Sequence, residues 1–280
     1  MSYSYARTTQ KEKEKEKRKE LMKVLTKILR KYPKNLLFAM ISGSHVYGTS
    51  TEDSDYDIRG AFITPPEKKL GLDEFKENDT IQITYDGNLD VHLHEIGKFC
   101  QLLAKGNANI IGNLNSPYIK LHLLGKVEFL ELKEISRFFI TKNIKYHYLS
   151  MFENNYTHIA NRHIPKKLLM MFRSLLSGSY ALKYGSIEEN INVLGIKFGY
   201  NYWIEKLKQE NEAGGILDET KSRDYISFLR TTKDSLDRIA ETSKLPTSPS
   251  RAAINELNRI LLNIRKIVEQ NNYKRPPEPD

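Results

Sequence analysis

A single cysteine, Cys100, in 280 residues excludes an intrachain disulfide and any cysteine cage for zinc. Long apolar runs are also lacking. None approaches the roughly 20 residues that a membrane-spanning helix needs, and Met1 leads straight into polar and charged residues with no secretory apolar region. These absences predict a soluble, cytoplasmic chain with no membrane partner. Acidic residues are outnumbered, 35 Asp and Glu against 44 Lys and Arg, which leaves a formal net charge of +9. Such a field attracts polyanions, and charge alone does not choose between nucleic acid and an anionic membrane face. The basic residues are dispersed among acids rather than gathered on one amphipathic face, which disfavours the membrane surface. What is present suffices for a core: 39% of residues are apolar and 10% aromatic, at a length that suits about two structural units.

The first ten residues read as disordered. Lys11 to Glu20 then alternate basic and acidic, and Leu21, Val24, Leu25, Ile28 and Leu29 recur at helical spacing before Tyr32-Pro33. The pattern predicts an amphipathic helix from about Lys13 to Lys31, so that 1–34 is a disordered start followed by a helix. Leu36 to Ile41 is a short apolar run opening into Ser42-Gly43-Ser44, a buried strand followed by a loop or helix start. Asp57 to Ile63 is strand-like, and two alternating stretches between Thr80 and His94 flank the turn signal Asp86-Gly87-Asn88. Glu95 to Ala104 returns to helical period. After Pro117, helical periodicity covers segments near 129–139, 142–157, 165–184, 188–210, 217–241 and 249–271, with almost no strand alternation. The unit 119–273 therefore reads as a helical domain, and the proline-rich 274–280 as a disordered tail.

The chemistry concentrates in Ser42-Gly43-Ser44-His45-Val46-Tyr47-Gly48-Thr49-Ser50-Thr51-Glu52-Asp53-Ser54-Asp55-Tyr56-Asp57-Ile58-Arg59-Gly60. Gly43-Ser44 after an apolar strand permits close backbone approach to a phosphate, with N–H groups of a following helix start aimed at the anion. Asp55 and Asp57 lie two apart on a strand, which aims both carboxylates to one face. Carboxylates held together repel unless a cation compensates, and hard oxygen ligands beside a polyphosphate suit Mg²⁺. Of the downstream acids, Asp90 shares a strand face with His92 and His94, whereas Glu95 has the opposite parity and suits the first turn of a helix. Asp90 is therefore the expected third acid.

Gly43-Ser44, a gap of about ten residues, Asp55-x-Asp57 and a later strand acid together resemble the nucleotidyltransferase superfamily of DNA polymerase β. The string from Ser42 to Gly60 is similar to its RlaP/YcgL-type branch, and Lys98-Phe99, Lys105-Gly106-Asn107 and Ser116-Pro117 extend the likeness. Ala108 and Gly112 depart from it, standing where proline and an acid are expected. The resemblance implies an α+β fold: a small mixed β-sheet catalytic core at 35–118 with flanking helices, followed by the mostly α-helical domain. It also implies two divalent ions, Mg²⁺ or Mn²⁺, and transfer of a nucleotidyl group from a nucleoside triphosphate to an acceptor hydroxyl with pyrophosphate leaving. Asp55 and Asp57 would then hold both ions and Asp90 the acceptor-side ion, a division of labour that suits in-line displacement. Gly43 and Ser44 would hold the β- and γ-phosphates. RNA or a tRNA end is the implied acceptor. The rival readings are a protein-modifying enzyme that adds AMP with the same carboxylates, and an idle nucleic-acid-binding module.

Lys166, Arg173 and Tyr180 recur every seven residues on the helix that begins near Pro165. They line the cleft, where the two cations contact triphosphate or RNA backbone, or else they form a solvated face. His92 with His94 is either a metal pair or a substrate and sheet contact. Arg59 meets a phosphate or base, or makes a strand-end ion pair. Tyr47 either stacks on a base or packs, and Cys100 reads as packing.

Overall fold

The computed structural model describes residues 2–31, 35–64, 79–85, 88–159, 164–214 and 216–272. Five strands form one mixed sheet, β1 (Leu36–Ser42), β2 (Tyr56–Phe62), β3 (Thr80–Tyr85), β4 (Leu89–Glu95) and β5 (Ile119–Leu121), in the order β3-β4-β2-β1-β5. β2 and β4 run parallel and every other neighbouring pair is antiparallel. The architecture is α+β, with a largely helical C-terminal half. No described helix is long and apolar enough to cross a membrane.

Strand parity divides the sheet into two faces. Ala39 and Ile41 of β1, Ile58 and Phe62 of β2, and Val91 and Leu93 of β4 pack against Leu21, Leu25, Ile28 and Leu29. Those four lie on helix α1 (Ser2–Lys31), spaced four, three and one residues apart so that they share one face of the helix. The helix begins far ahead of the predicted start near Lys13, so the opening residues continue it rather than remaining disordered. No glycine or proline precedes Pro33 to break it, and Lys11–Glu20 places opposite charges three residues apart. Its exposed turns still reach the rest of the chain: Lys17 Nζ donates to Ser50 Oγ at 2.7 Å, and the Tyr56 hydroxyl bonds Glu20.

The opposite face carries the helical half. Helices α3 (Ile96–Ala104) and α4 (Ala108–Leu114) follow β4, and α5 (Lys126–Ser136) with a short 3-10 turn (Arg137–Phe139) follows β5. Then come α6 (Ile144–Ile159), α7 (Pro165–Tyr184), α8 (Ile191–Phe198), α9 (Asn201–Glu212), α10 (Glu219–Thr242) and α11 (Arg251–Asn272). One continuous apolar cluster runs from Phe38 and Met40 of the sheet through α3, α4 and α7 to Ile264 and Val268 of α11. α7 lies at its centre, buried on nearly every side.

Two further elements differ from the sequence reading. The helical stretch 188–210 is two helices, because Gly199 adopts φ +79° and ends α8. β5 extends the sheet beyond Pro117, and at three residues it is too short to show alternation. Single-turn α2 (Ser44–Tyr47) follows β1 after Gly43, the helix start that was one of the two alternatives there. Tyr85 pairs with Leu89, so β3 and β4 form the expected hairpin, with Asn88 at φ 67°. Asp86, Gly87 and the 274–280 tail lie outside the described residues.

Candidate active site

Parallel pairing of β2 with β4 sets Asp57 opposite Asp90, Arg59 opposite His92 and Ala61 opposite His94. Even-numbered positions of β4 and odd-numbered positions of β2 thus share the face turned to the helical half. A cleft of about 580 Å³ opens there, between the sheet, α2, α4 and α7. Its walls include Gly43, Ser44, Asp55, Asp57, Lys166 and Arg173.

Arg59 joins the two facing carboxylates. Its Nη2 donates to Asp57 Oδ1 at 2.8 Å and to Asp90 Oδ2 at 2.9 Å, and its Nη1 donates to the Asp90 carbonyl at 3.2 Å. Between the two sequence alternatives for Arg59, the geometry is that of the ion pair, bridging two strands. One guanidinium does not cancel the acidic field. Burial pushes the Asp57 carboxyl up, Arg59 opposes this, and the charges of Asp90 and Asp55 push it further.

Gly43 makes this arrangement sterically feasible. It stands at φ +65°, and a Cβ built there would fall 1.8 Å from Asp57 Oδ2, so only a residue without a side chain leaves room for the carboxylate. The Gly43 carbonyl accepts from the N–H groups of Val46 and Tyr47 and so starts α2. Behind it, Ser42 Oγ donates to Asn113 Oδ1 at 2.7 Å, which ties the end of β1 to α4. Asn107 caps α4 by accepting from the Ile110 N–H at 3.2 Å.

The donor set suits a hard divalent cation, since it consists of carboxylate oxygens whose mutual repulsion is only partly balanced. Asp55, Asp57 and Asp90 are the residues available to hold one. As placed, no three His, Cys, Asp or Glu side chains among the described residues gather closely enough to hold an ion.

His92 and His94 both line the cleft, with ring centroids 4.7 Å apart. His94 Nδ1 lies 3.0 Å from Thr80 Oγ1, and burial, with His92, Lys98 and Arg59 nearby, pushes His94 down to about 4. Glu95 leaves the cleft: it caps α3 by accepting from the Gly97 N–H at 2.6 Å and pairs with Arg265 of α11 at 2.9 Å. Cys100 is buried, its thiol pushed up to about 12 by burial, as packing requires.

Lys166 and Arg173 of the heptad-spaced trio reach the cleft wall, whereas Tyr180 is not among the residues that line it and packs 4.7 Å from Tyr184. The Tyr47 ring is stacked 3.8 Å from the Arg173 guanidinium carbon. Arg173 in turn meets Glu189, on the loop before α8, at 3.4 Å.

Residues 17–263 match the family described as the RNA repair pathway DNA polymerase beta family, RlaP. The chain belongs to this family. All of the cleft residues named above fall within the matched span. The Bacillus subtilis (strain 168) protein whose name reads "Uncharacterized protein YcgL" is 27% identical over 242 residues, covering 84% of this chain and 91% of that protein. A Methanocaldococcus jannaschii protein, "Uncharacterized protein MJ0002", is 28% identical over 228 residues, 78% of this chain and 89% of the relative. An enterobacteria phage T4 protein of 38.9 kDa is 31% identical over 113 residues, 37% of this chain and 33% of its own length. As an RlaP member the chain has the family's polymerase-β-like character, that of a nucleotidyltransferase associated with RNA repair.

The RlaP resemblance leads to an acid at position 112, where this chain has glycine. Glu189 occupies that space: a Cβ on Gly112 would fall 2.7 Å from its carboxylate carbon. Sequence reasoning missed Glu189, because it falls in the stretch 188–210 that reads as helical, whereas it lies on the loop before α8 and meets Arg173 only through tertiary packing.

Proposed function

We propose that the chain is a metal-dependent enzyme that transfers a nucleoside monophosphate from a nucleoside triphosphate to a hydroxyl at an RNA end, including that of tRNA, and releases pyrophosphate. The observation that carries this reading is the convergence of Asp57 and Asp90, from parallel neighbouring strands, on one Arg59 nitrogen beside Gly43. Evolved proteins keep clustered, incompletely compensated carboxylates where a bound cation gives them a use. The family description and the net charge of +9 favour RNA as acceptor.

Each residue has a role in that chemistry. Gly43 and Ser44 bind the β- and γ-phosphates at the turn into α2, and Lys166 and Arg173 meet the polyphosphate from the helical side. Asp55, Asp57 and Asp90 would hold Mg²⁺ or Mn²⁺, two ions in all, which would neutralise charge on the attacking and leaving oxygens. Asp90 accepts the proton of the acceptor hydroxyl as its oxygen bonds the α-phosphorus. The bond from that phosphorus to the bridging oxygen breaks, and pyrophosphate carries the electron pair away. Arg59 holds Asp57 and Asp90 in a common orientation.

Incubation with α-labelled nucleoside triphosphates, Mg²⁺ and RNA tests the proposal. Label is expected to pass to RNA, and to fall by about a hundredfold or more in the Asp55→Asn, Asp57→Asn double variant. Label retained on protein instead would replace the RNA acceptor with a protein one. RNA binding without metal and without affinity for any nucleotide would leave an idle binding module.

A further inference from the structure

Where the helical half meets α2, three side chains form a buried ionic cluster that is underbonded. Arg173 is 2% exposed and Glu189 6%. Their close approach is a single Nη1 to Oε1 distance of 3.4 Å, long beside the roughly 2.8 Å of a good charge-assisted bond. A guanidinium can donate five hydrogen bonds, yet Arg173 Nε has no hydrogen-bond partner among the described residues. The Tyr47 ring covers one face of the same group. Burying a half-paired charge is costly, and here the charge belongs to a side chain in the wall of the cleft.

The surroundings of Glu189 are correspondingly short of positive charge. Tyr47 of α2 and Tyr148 of α6 face the cluster, both kept neutral because burial raises their hydroxyls, and the Tyr148 hydroxyl has no described partner. Gly112 of α4 abuts the carboxylate. Glu188 adds negative charge, and His147, lowered by burial and by Arg173, adds no positive charge at neutral pH. Arg173 of α7 is the cation in contact.

We propose that Glu189 is a positioning residue for the nucleotide's polyphosphate: it holds the Arg173 guanidinium in the cleft wall and competes with a phosphate oxygen for it. The inference rests on the nucleotidyltransferase reading. A phosphate that takes up the spare bonding capacity of Arg173 also draws that charge away from Glu189, so ionised Glu189 and bound polyphosphate oppose each other. Burial, against the pull of Arg173, pushes the Glu189 carboxyl up to about 7. The competition therefore strengthens across the neutral range as pH rises.

Calorimetric titration of Mg²⁺–ATP into the full chain and into Glu189→Gln, each at about pH 6 and about pH 8, tests this. At the higher pH the variant should bind about tenfold more tightly than the parent, and at the lower pH within about twofold. The parent alone should take up a proton on binding at the higher pH, read from repeats in buffers of different ionisation enthalpy. Should the variant fail to fold, that proton uptake by the parent decides. Equal or weaker binding by the variant at both pH values, or binding by the parent without proton uptake, would overturn the inference and leave the nucleotidyltransferase reading standing. No Mg²⁺–ATP binding by either folded protein would remove both.

Discussion

Asp57 meets conflicting demands within a few ångströms. Its Oδ2 occupies the room a side chain at Gly43 would need, its Oδ1 accepts from Arg59 at 2.8 Å, and Asp90 and Asp55 crowd it with like charge. Its carboxyl is raised above the ordinary 3.8, burial being the largest cause. A group raised in this way contributes stability at low pH and loses it as pH rises through the folded value, so ionised Asp57 strains the metal-free protein at neutral pH. Asn keeps the shape and removes the charge. Asp57→Asn should therefore raise the melting temperature in chelator at neutral pH by about 2 °C while metal-dependent nucleotide binding is lost. A lower melting temperature in the variant would mean that the Arg59 ion pair outweighs burial and repulsion. Arg173 and Glu189 extend the same principle to the other wall, where a buried charge is again left short of partners.

At the scale of elements, period decides what could be read in advance. Asp90, His92 and His94 alternate with Val91 and Leu93, and the two-residue period of a strand puts the three polar residues on the cleft face without further information. Asp57 was legible for the same reason, whereas Asp55 lines the cleft from the residue before β2, outside the strand on which its spacing had placed it. The parallel pairing that sets Asp57 opposite Asp90 was not legible, because a crossover between strands leaves no local pattern. β5 with three residues and α4 with seven are too short to display a period at all. The Lys166, Arg173, Tyr180 spacing was informative for two residues of three. A helix drifts roughly 20° per heptad, and fourteen residues carry Tyr180 about 21 Å along the axis from Lys166. That takes it beyond the cleft to Tyr184. Gly199 interrupts an apolar stretch that otherwise reads as one helix, and its left-handed φ decides the break.

Across the whole molecule, one apolar cluster links the sheet to α11, and the ion pair between Glu95 and Arg265 fastens the last helix to the end of β4. Ionisable side chains shifted by full or partial burial give stability a pH dependence of two signs. His45, His92, His94 and His147 are all lowered, burial first among the causes, and His94 reaches about 4. Their contribution is complete above the ordinary 6.5 and is lost as pH falls through the folded values. Glu189, raised from 4.5 to about 7, contributes in the opposite sense, fully below 4.5 and not at all above 7. The two signs offset one another in the parent between about pH 5 and about pH 7, so in chelator its melting temperature should change by no more than about 2 °C between them. Glu189→Gln should raise it by about 3 °C at about pH 8 and leave it nearly unchanged at about pH 5. An equal effect of that variant at both ends would show that its carboxyl does not titrate between them. The central claim concerns the cleft as a whole, a nucleotide site assembled from β2, β4, α2 and α7. Its most direct test is calorimetric titration of each nucleoside triphosphate, with Mg²⁺ or Mn²⁺ and then with chelator, into the parent chain and the Asp55→Asn, Asp57→Asn double variant. Metal-dependent binding by the parent that disappears in the folded variant is the predicted result, and binding to neither protein, or equally to both, would contradict it.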